Sequence, residues 1–139
     1  MAWSAHIYWH IDYRILCYQT RRVEVNLIIS KNSWVRPEKK CDHLLQHEQG
    51  HYLIGALCVL EFMRRVDTAR PNCNLDQLLN NVFHETLSSF QQMERQYDDE
   101  TEHRLNFKMQ EKWDQMLHDR LSYYDHLFDK KTHLFRKEI

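Results

Sequence analysis

Apolar and polar residues alternate at period two along the first part of the chain, and beyond residue 37 the apolar spacing lengthens to that of a helix. In residues 5–13, AHIYWHIDY, Ile7, Trp9 and Ile11 share one face while His6, Tyr8, His10 and Asp12 share the other, which predicts a strand. After a break at Gln19 to Arg22, the residues Val23, Val25, Leu27 and Ile29 repeat the alternation, and Lys31-Asn32-Ser33 supplies turn chemistry. Two or three strands do not stand alone in water, so this sheet must lean on helices from the rest of the chain.

Pro37 with Glu38 fits a first helical turn, after which no breaker interrupts the pattern to about Arg65. Leu44, Leu45, Tyr52, Ile54, Leu57, Phe62 and Met63 make this helix apolar on more than one side, as expected of a helix packed between other elements. Pro71 to Asn74 reads as a turn, with Asn74 an N-cap for a helix carrying Leu75, Leu79, Val82, Phe83, Phe90 and Met93. A third helical pattern holds Phe107, Trp113, Leu117, Leu121, Tyr124 and Phe128, and the basic tail KKTHLFRKEI is expected to fray. The expected architecture is α+β over a single domain, 1–139: a small antiparallel sheet in 1–35 on about three long helices, at 37–65, 74–100 and 106–128.

Composition narrows the partners. Only two Gly and two Pro in 139 residues exclude a turn-rich all-β fold. Charged residues make up 28% and nearly cancel to -1, so no net field recruits nucleic acid. No stretch approaches the roughly 18 apolar residues of a membrane span, and the opening MAWSAHIYWHIDYR lacks a basic segment followed by an apolar one, so no signal peptide is read there. The four cysteines form no CxxC pair. Cys58, among Ala56, Leu57, Val59 and Leu60, reads as a small buried hydrophobe. Oligomeric state leaves no mark in the pattern.

The candidate chemistry lies in His47-Glu48-Gln49-Gly50-His51. Residues four apart on a helix share a face, so His47 and His51 can hold one zinc ion while Glu48 reaches an activated water as general base. Leu44, Leu45 and Ile54 would carry the histidines inward rather than onto a solvated face. Gly50 costs a helix interior about 1 kcal/mol relative to Ala, an expense that makes sense where another group comes close.

A third ligand must come from elsewhere, because Ile54 and Leu57 stand where a histidine-rich extension of the motif would continue. The polar segment Tyr97-Asp98-Asp99-Glu100-Thr101-Glu102-His103 is the place to look, with His103 as first choice and Glu100, one turn away, as the alternative. Tyr97 reads either as a donor to an oxyanion or as a core tyrosine with a satisfied hydroxyl. Asp98 and Asp99 read as a solvated charge run in preference to acceptors that orient ligand imidazoles. His84, beside Glu85, is the other histidine to compare with the site.

Four stretches in order carry a resemblance: Ser33-Trp34-Val35, Leu44 to His51, Tyr97-Asp98 with Glu100-Thr101 and His103, and Gln110 with Trp113. Over about residues 23–117 the chain resembles a bacterial family of predicted secreted zinc-dependent proteases, known chiefly as a domain of unknown function. The resemblance implies a zincin-like zinc metallopeptidase, secreted or periplasmic, with His47 and His51 as ligands, Glu48 as base and the Tyr97 to His103 segment completing the site. Two positions depart from its pattern. Tyr52 replaces a usual Phe, and Arg104 replaces a glycine that often follows the last histidine, where a glycine can serve a backbone angle that arginine resists.

The expected function is zinc-dependent hydrolysis of a peptide or protein substrate, lying extended beside an edge strand such as Val23 to Ile29. Two alternatives stand beside it. One is a dimetal-carboxylate protein built on the two Glu-x-x-His motifs, Glu48 to His51 and Glu100 to His103, with Glu61 and Glu85 as further carboxylates. The other is a zinc-binding module without catalysis.

Overall fold

The structure, a computed structural model, describes residues 5–20, 22–69 and 74–128. The expected turn at Pro71 to Cys73 and the basic tail lie outside the described residues. The elements in order are β1 (Ala5–His6), β2 (Trp9–Cys17), β3 (Arg22–Ile29), β4 (Trp34–Val35), a 3-10 turn at Pro37–Lys39, α1 (Asp42–Thr68), α2 (Leu75–Thr101) and α3 (Phe107–Phe128). This is the α+β class, with strands first and three long helices behind them.

The strands form two antiparallel pairs instead of one sheet. β2 and β3 make a hairpin in which Trp9, Ile11, Tyr13 and Ile15 stand opposite Ile29, Leu27, Val25 and Val23. One apolar face results, and Ile11, Val23 and Val25 are buried from it into the core. The strand expected over 5–13 breaks at Ile7 and Tyr8, whose N–H groups leave the ladder for the Glu48 carboxylate at 3.2 Å and the Ser33 hydroxyl at 3.0 Å. β1 then turns to pair with β4, Ala5 opposite Val35 and His6 opposite Trp34.

Pro37 opens only the short 3-10 turn. Lys40 and Cys41 are extended, which ends that turn and makes Cys41 the N-cap of α1. α1 spans 27 residues and is apolar on several sides because the hairpin, α2 and α3 all pack on it. Ile54, Leu57, Cys58, Val59 and Phe62 are almost wholly buried along it, where truncation of a Leu or Ile to Ala costs about 2–5 kcal/mol. Burial pushes the Cys58 thiol up to about 12, in keeping with an inert core thiol. Cys17, Cys41 and Cys58 are all free.

α2 starts as expected at Asn74, whose side chain accepts from the Gln77 N–H at 3.1 Å. Its buried residues Leu79, Thr86, Phe90, Tyr97 and Thr101 recur at helical spacing and form a seam against α1. Among the described residues, no helix is long and apolar enough to cross a membrane.

One buried carboxylate ties α3 to α1. Glu61 accepts from Arg64 and Arg65 on its own helix and from the Tyr124 hydroxyl at 2.6 Å. The Arg64 guanidinium holds its carboxyl down to about 2 against a burial penalty, from an ordinary 4.5. A depressed carboxyl stabilises the fold above its unfolded pKa and loses that contribution as pH falls towards its folded one. Thermal unfolding followed against pH should therefore show stability falling between about 4.5 and about 2, and Glu61→Gln should flatten that limb.

Candidate metal centre

The site lies where α1 and α2 run side by side near the N-terminal half of α1. His47 and His51, one turn apart and both buried, face Asp98 and Glu94, one turn apart on α2. The Nε2 atoms of both imidazoles converge on one oxygen, Asp98 Oδ1, at 3.0 Å from His47 and 2.8 Å from His51. The donor atoms of His47, His51 and Asp98 all lie within 4.8 Å of one another, and this cluster could hold a metal ion.

The other ring nitrogen of each histidine is already held. His47 Nδ1 lies 2.9 Å from Gln110 Oε1, and the Gln110 amide donates to Tyr97 at 2.7 Å and to Asp114 Oδ1 at 3.0 Å. The carboxylate fixes which end of the amide is NH2, so Oε1 must accept and His47 Nδ1 must carry a hydrogen. His51 Nδ1 lies 3.0 Å from Glu94 Oε1, an acceptor, so it too carries its hydrogen there. Both Nε2 atoms are thereby left as lone pairs for a cation, unless the rings take a second proton.

In the absence of a cation the charged form of His51 is the one its carboxylate partners favour. Burial alone would lower the His51 pKa, but its bonds to Asp98 and Glu94 outweigh that and raise it to about 10. Burial likewise acts to raise the Asp98 carboxyl, yet the hydrogen bonds from His47 and His51 hold it well below the usual range. The pocket is thus built around positive charge beside Asp98, whether carried by protons or by a metal ion.

Tyr97 supports this arrangement from beneath. It is 0% exposed, and its hydroxyl donates to the His47 carbonyl at 2.8 Å while accepting from Gln110. Its ring stacks on His47 at 4.7 Å and meets His51 edge-on at 5.0 Å. Of the two readings the sequence allowed, an enclosed and committed hydroxyl fits the core tyrosine better than the oxyanion donor. Gly50 is the reason it fits. A Cβ there would stand 2.1 Å from the Tyr97 hydroxyl oxygen and 2.6 Å from the ring carbon that bears it.

Asp98 also corrects an expectation. Its side chain is only 15% exposed and faces the His47 and His51 imidazoles, whereas Asp99 is the exposed member of the pair. Glu100 turns away: its carboxylate accepts from Trp113 Nε1 at 2.6 Å and from Gln96 at 3.0 Å. His103 stays near the cluster, with Nδ1 3.7 Å from Asp98 Oδ1. It is brought back by three consecutive left-handed residues, Glu102, His103 and Arg104, at φ 50, 53 and 88. The third is the position where the resembled family often has glycine, and the backbone angle is the one a glycine would serve.

Glu48 follows His47 on α1, and its Oε2 accepts from the Ile7 N–H just beyond β1. The strand that leads to this carboxylate is β1. The dimetal alternative loses its carboxylates: Glu100 is committed to Trp113, Glu61 to Arg64, Arg65 and Tyr124, and Glu85 is exposed. His84 is likewise exposed, with its ring against Phe83.

Sequence reasoning missed Glu94 and the indole of Trp9 that donates to the same Glu94 oxygen. A signal was present for the first, since Glu94 stands one turn before Asp98 on α2 as His47 does before His51 on α1.

Residues 5–104 match the family described as "Bacterial protein of unknown function (DUF922)". The match takes in all the candidate ligands and ends before α3. No curated protein and no solved structure matches the chain significantly.

Two substitutions test the geometry. On helix propensity alone Gly50→Ala should stabilise by about 1 kcal/mol; the clash with Tyr97 should reverse the sign and cost about 1–3 kcal/mol in urea unfolding. Arg104→Gly should relieve the left-handed turn and gain roughly 1 kcal/mol in the same measurement.

Proposed function

The chain belongs to this bacterial family of unknown function, and we propose that it is a zinc-dependent hydrolase of peptide bonds. The observation that carries the reading is the convergence of two Nε2 atoms, each with its tautomer set by the hydrogen bond its Nδ1 donates, on one largely enclosed carboxylate oxygen. Two imidazoles and a carboxylate are a donor set that suits zinc and leaves a coordination position open. An ideal tetrahedral site with bonds near 2.1 Å has ligand atoms about 3.4 Å apart. The separations of 3.0 and 2.8 Å to Asp98 are slightly shorter than this, and the 3.7 Å from Asp98 to His103 slightly longer.

His47, His51 and Asp98 are thus the ligands in this reading. His103 is the competing third ligand, favoured by the strained turn that holds it beside Asp98. Bound there, zinc would supply Lewis acidity for a carbonyl and lower the pKa of water to about 7. Glu48, adjacent in sequence to His47, takes the proton from the attacking water as its oxygen bonds to the scissile carbon, and delivers it to the amine as the C–N bond breaks. The Ile7 N–H bond orients that carboxylate. Glu94 and Gln110 keep each imidazole in one tautomer, and Tyr97 keeps the helix backbone at His47 in place.

Purified protein should carry one zinc per chain by elemental analysis, and His47→Ala or His51→Ala should release it. Glu48→Gln should abolish peptide cleavage, by at least about 100-fold, while zinc stays bound. Cleavage that survives Glu48→Gln would remove Glu48 as the base, and zinc binding with no cleavage of any peptide would favour a binding module. Zinc retention in Asp98→Asn and His103→Ala separates the two third ligands: Asp98 is displaced from that role if only the histidine change releases the metal.

A further inference from the structure

We infer that the cavity beside Glu48 receives a large apolar side chain of the substrate, next to the bond that is cleaved, an assignment that rests on the hydrolase reading. The cavity has a volume of about 680 Å³, within the size range of small-ligand sites. It opens between the β1–β4 pair and the first turns of α1, and its wall is chiefly apolar: Ile7, Trp34, Val35, Leu44 and Leu45, with Glu48 at one side.

Three of these residues are costly to leave in water. Trp34 and Val35 are each 40% exposed and Leu45 is 58% exposed. Scattered apolar side chains on a surface are ordinary, but here they come from two separate elements and line one concavity that ends at a carboxylate. The remaining charged groups on the wall, Lys40 and Asp42, are of opposite sign, so an ionised side chain gains little from them.

The backbone nearby suits an extended chain. β1 and β4 pair only with each other, which leaves each strand an edge without a strand partner among the described residues. A peptide laid along such an edge points alternate side chains to one face, so one side chain enters the cavity while its neighbours do not. Ile7, just beyond β1, both lines the cavity and donates its N–H to Glu48 Oε2. That shared residue puts the cavity and the proposed base in one fixed frame, and the side chain held there belongs to a residue flanking the reacting bond.

Two measurements on the zinc-loaded full chain test this. In a peptide mixture randomised around the cleaved bond, cleavage mapped by mass spectrometry should concentrate Leu, Met and Phe at one flanking position. Leu45→Asp, at a position 58% exposed, should lower kcat/KM for those peptides about tenfold and so erase most of their advantage over peptides with small residues there. Independently of cleavage, N-acetyl-phenylalanine amide should shift the Trp34 indole N–H resonance saturably, and the aspartate analogue should not. Cleavage without an apolar preference overturns the subsite and leaves the hydrolase reading standing. Saturable apolar binding without cleavage does the reverse. Absence of selective binding at Trp34 overturns the subsite whatever the cleavage result.

Discussion

The hydrogen bond from the Tyr97 hydroxyl to the carbonyl of His47 is the contact on which the centre depends, and it exists because Gly50 has no side chain. A helix carbonyl is normally committed to the N–H four residues on, so a second donor can approach only where the helix surface is bare. Once Tyr97 is seated there, its ring becomes the wall against which His47 stacks and His51 abuts. The same hydroxyl accepts from Gln110, which in turn fixes the hydrogen on His47 Nδ1. A helix interior gives up about 1 kcal/mol of propensity for this glycine, and the return is two imidazoles with few alternative rotamers.

Charge decides what that rigid frame holds. Two partly exposed carboxylates on α2 face two buried imidazoles on α1. Two partly buried carboxylates held against the rings favour cationic charge on or between them. Protons can supply it, and so can a divalent ion, which would displace them. Trp9 completes the set by donating to Glu94 from the hairpin, so the sheet contributes to the centre as well as covering the core.

Much of this was legible along the chain because it depends on neighbours in sequence. The helical spacing of His47 and His51, the Asn74 cap and the long apolar face of α1 all follow from local periodicity. The cost of Gly50 pointed to a close approach, though not to Tyr97 as the group approaching. Arg104 pointed to a backbone angle that arginine resists, and its φ is 88. What escaped were pairings between distant segments. Asp98 and Asp99 are indistinguishable as letters in an acidic run, and only the rotation of α2 against α1 sends one inward and the other to solvent. Glu100 was within one turn of the right face, but the indole of Trp113 on α3 takes its carboxylate. The split of the first strand also has a remote cause, since the groups that draw Ile7 and Tyr8 off the ladder are Glu48 and Ser33.

The role of α3 rests on the same logic. The family match ends at residue 104, at the last of the left-handed residues, yet the group that fixes the His47 tautomer is Gln110, in the first turns of α3. Gln110 cannot reach His47 unless α3 starts immediately beside the end of α2, and three successive residues at positive φ make that reversal in the few residues between the helices. The bond from the Asn106 N–H to the Thr101 carbonyl at 2.9 Å closes the turn, and the Asn106 side chain caps α3 by accepting from Met109 at 3.1 Å. The turn that strains the backbone at His103 is thus also the turn that delivers Gln110. Its strain is offset by the buried network at His47 as well as by any contact His103 itself makes, so a backbone in this unusual conformation is evidence for the assembled centre first and for His103 as a ligand only second.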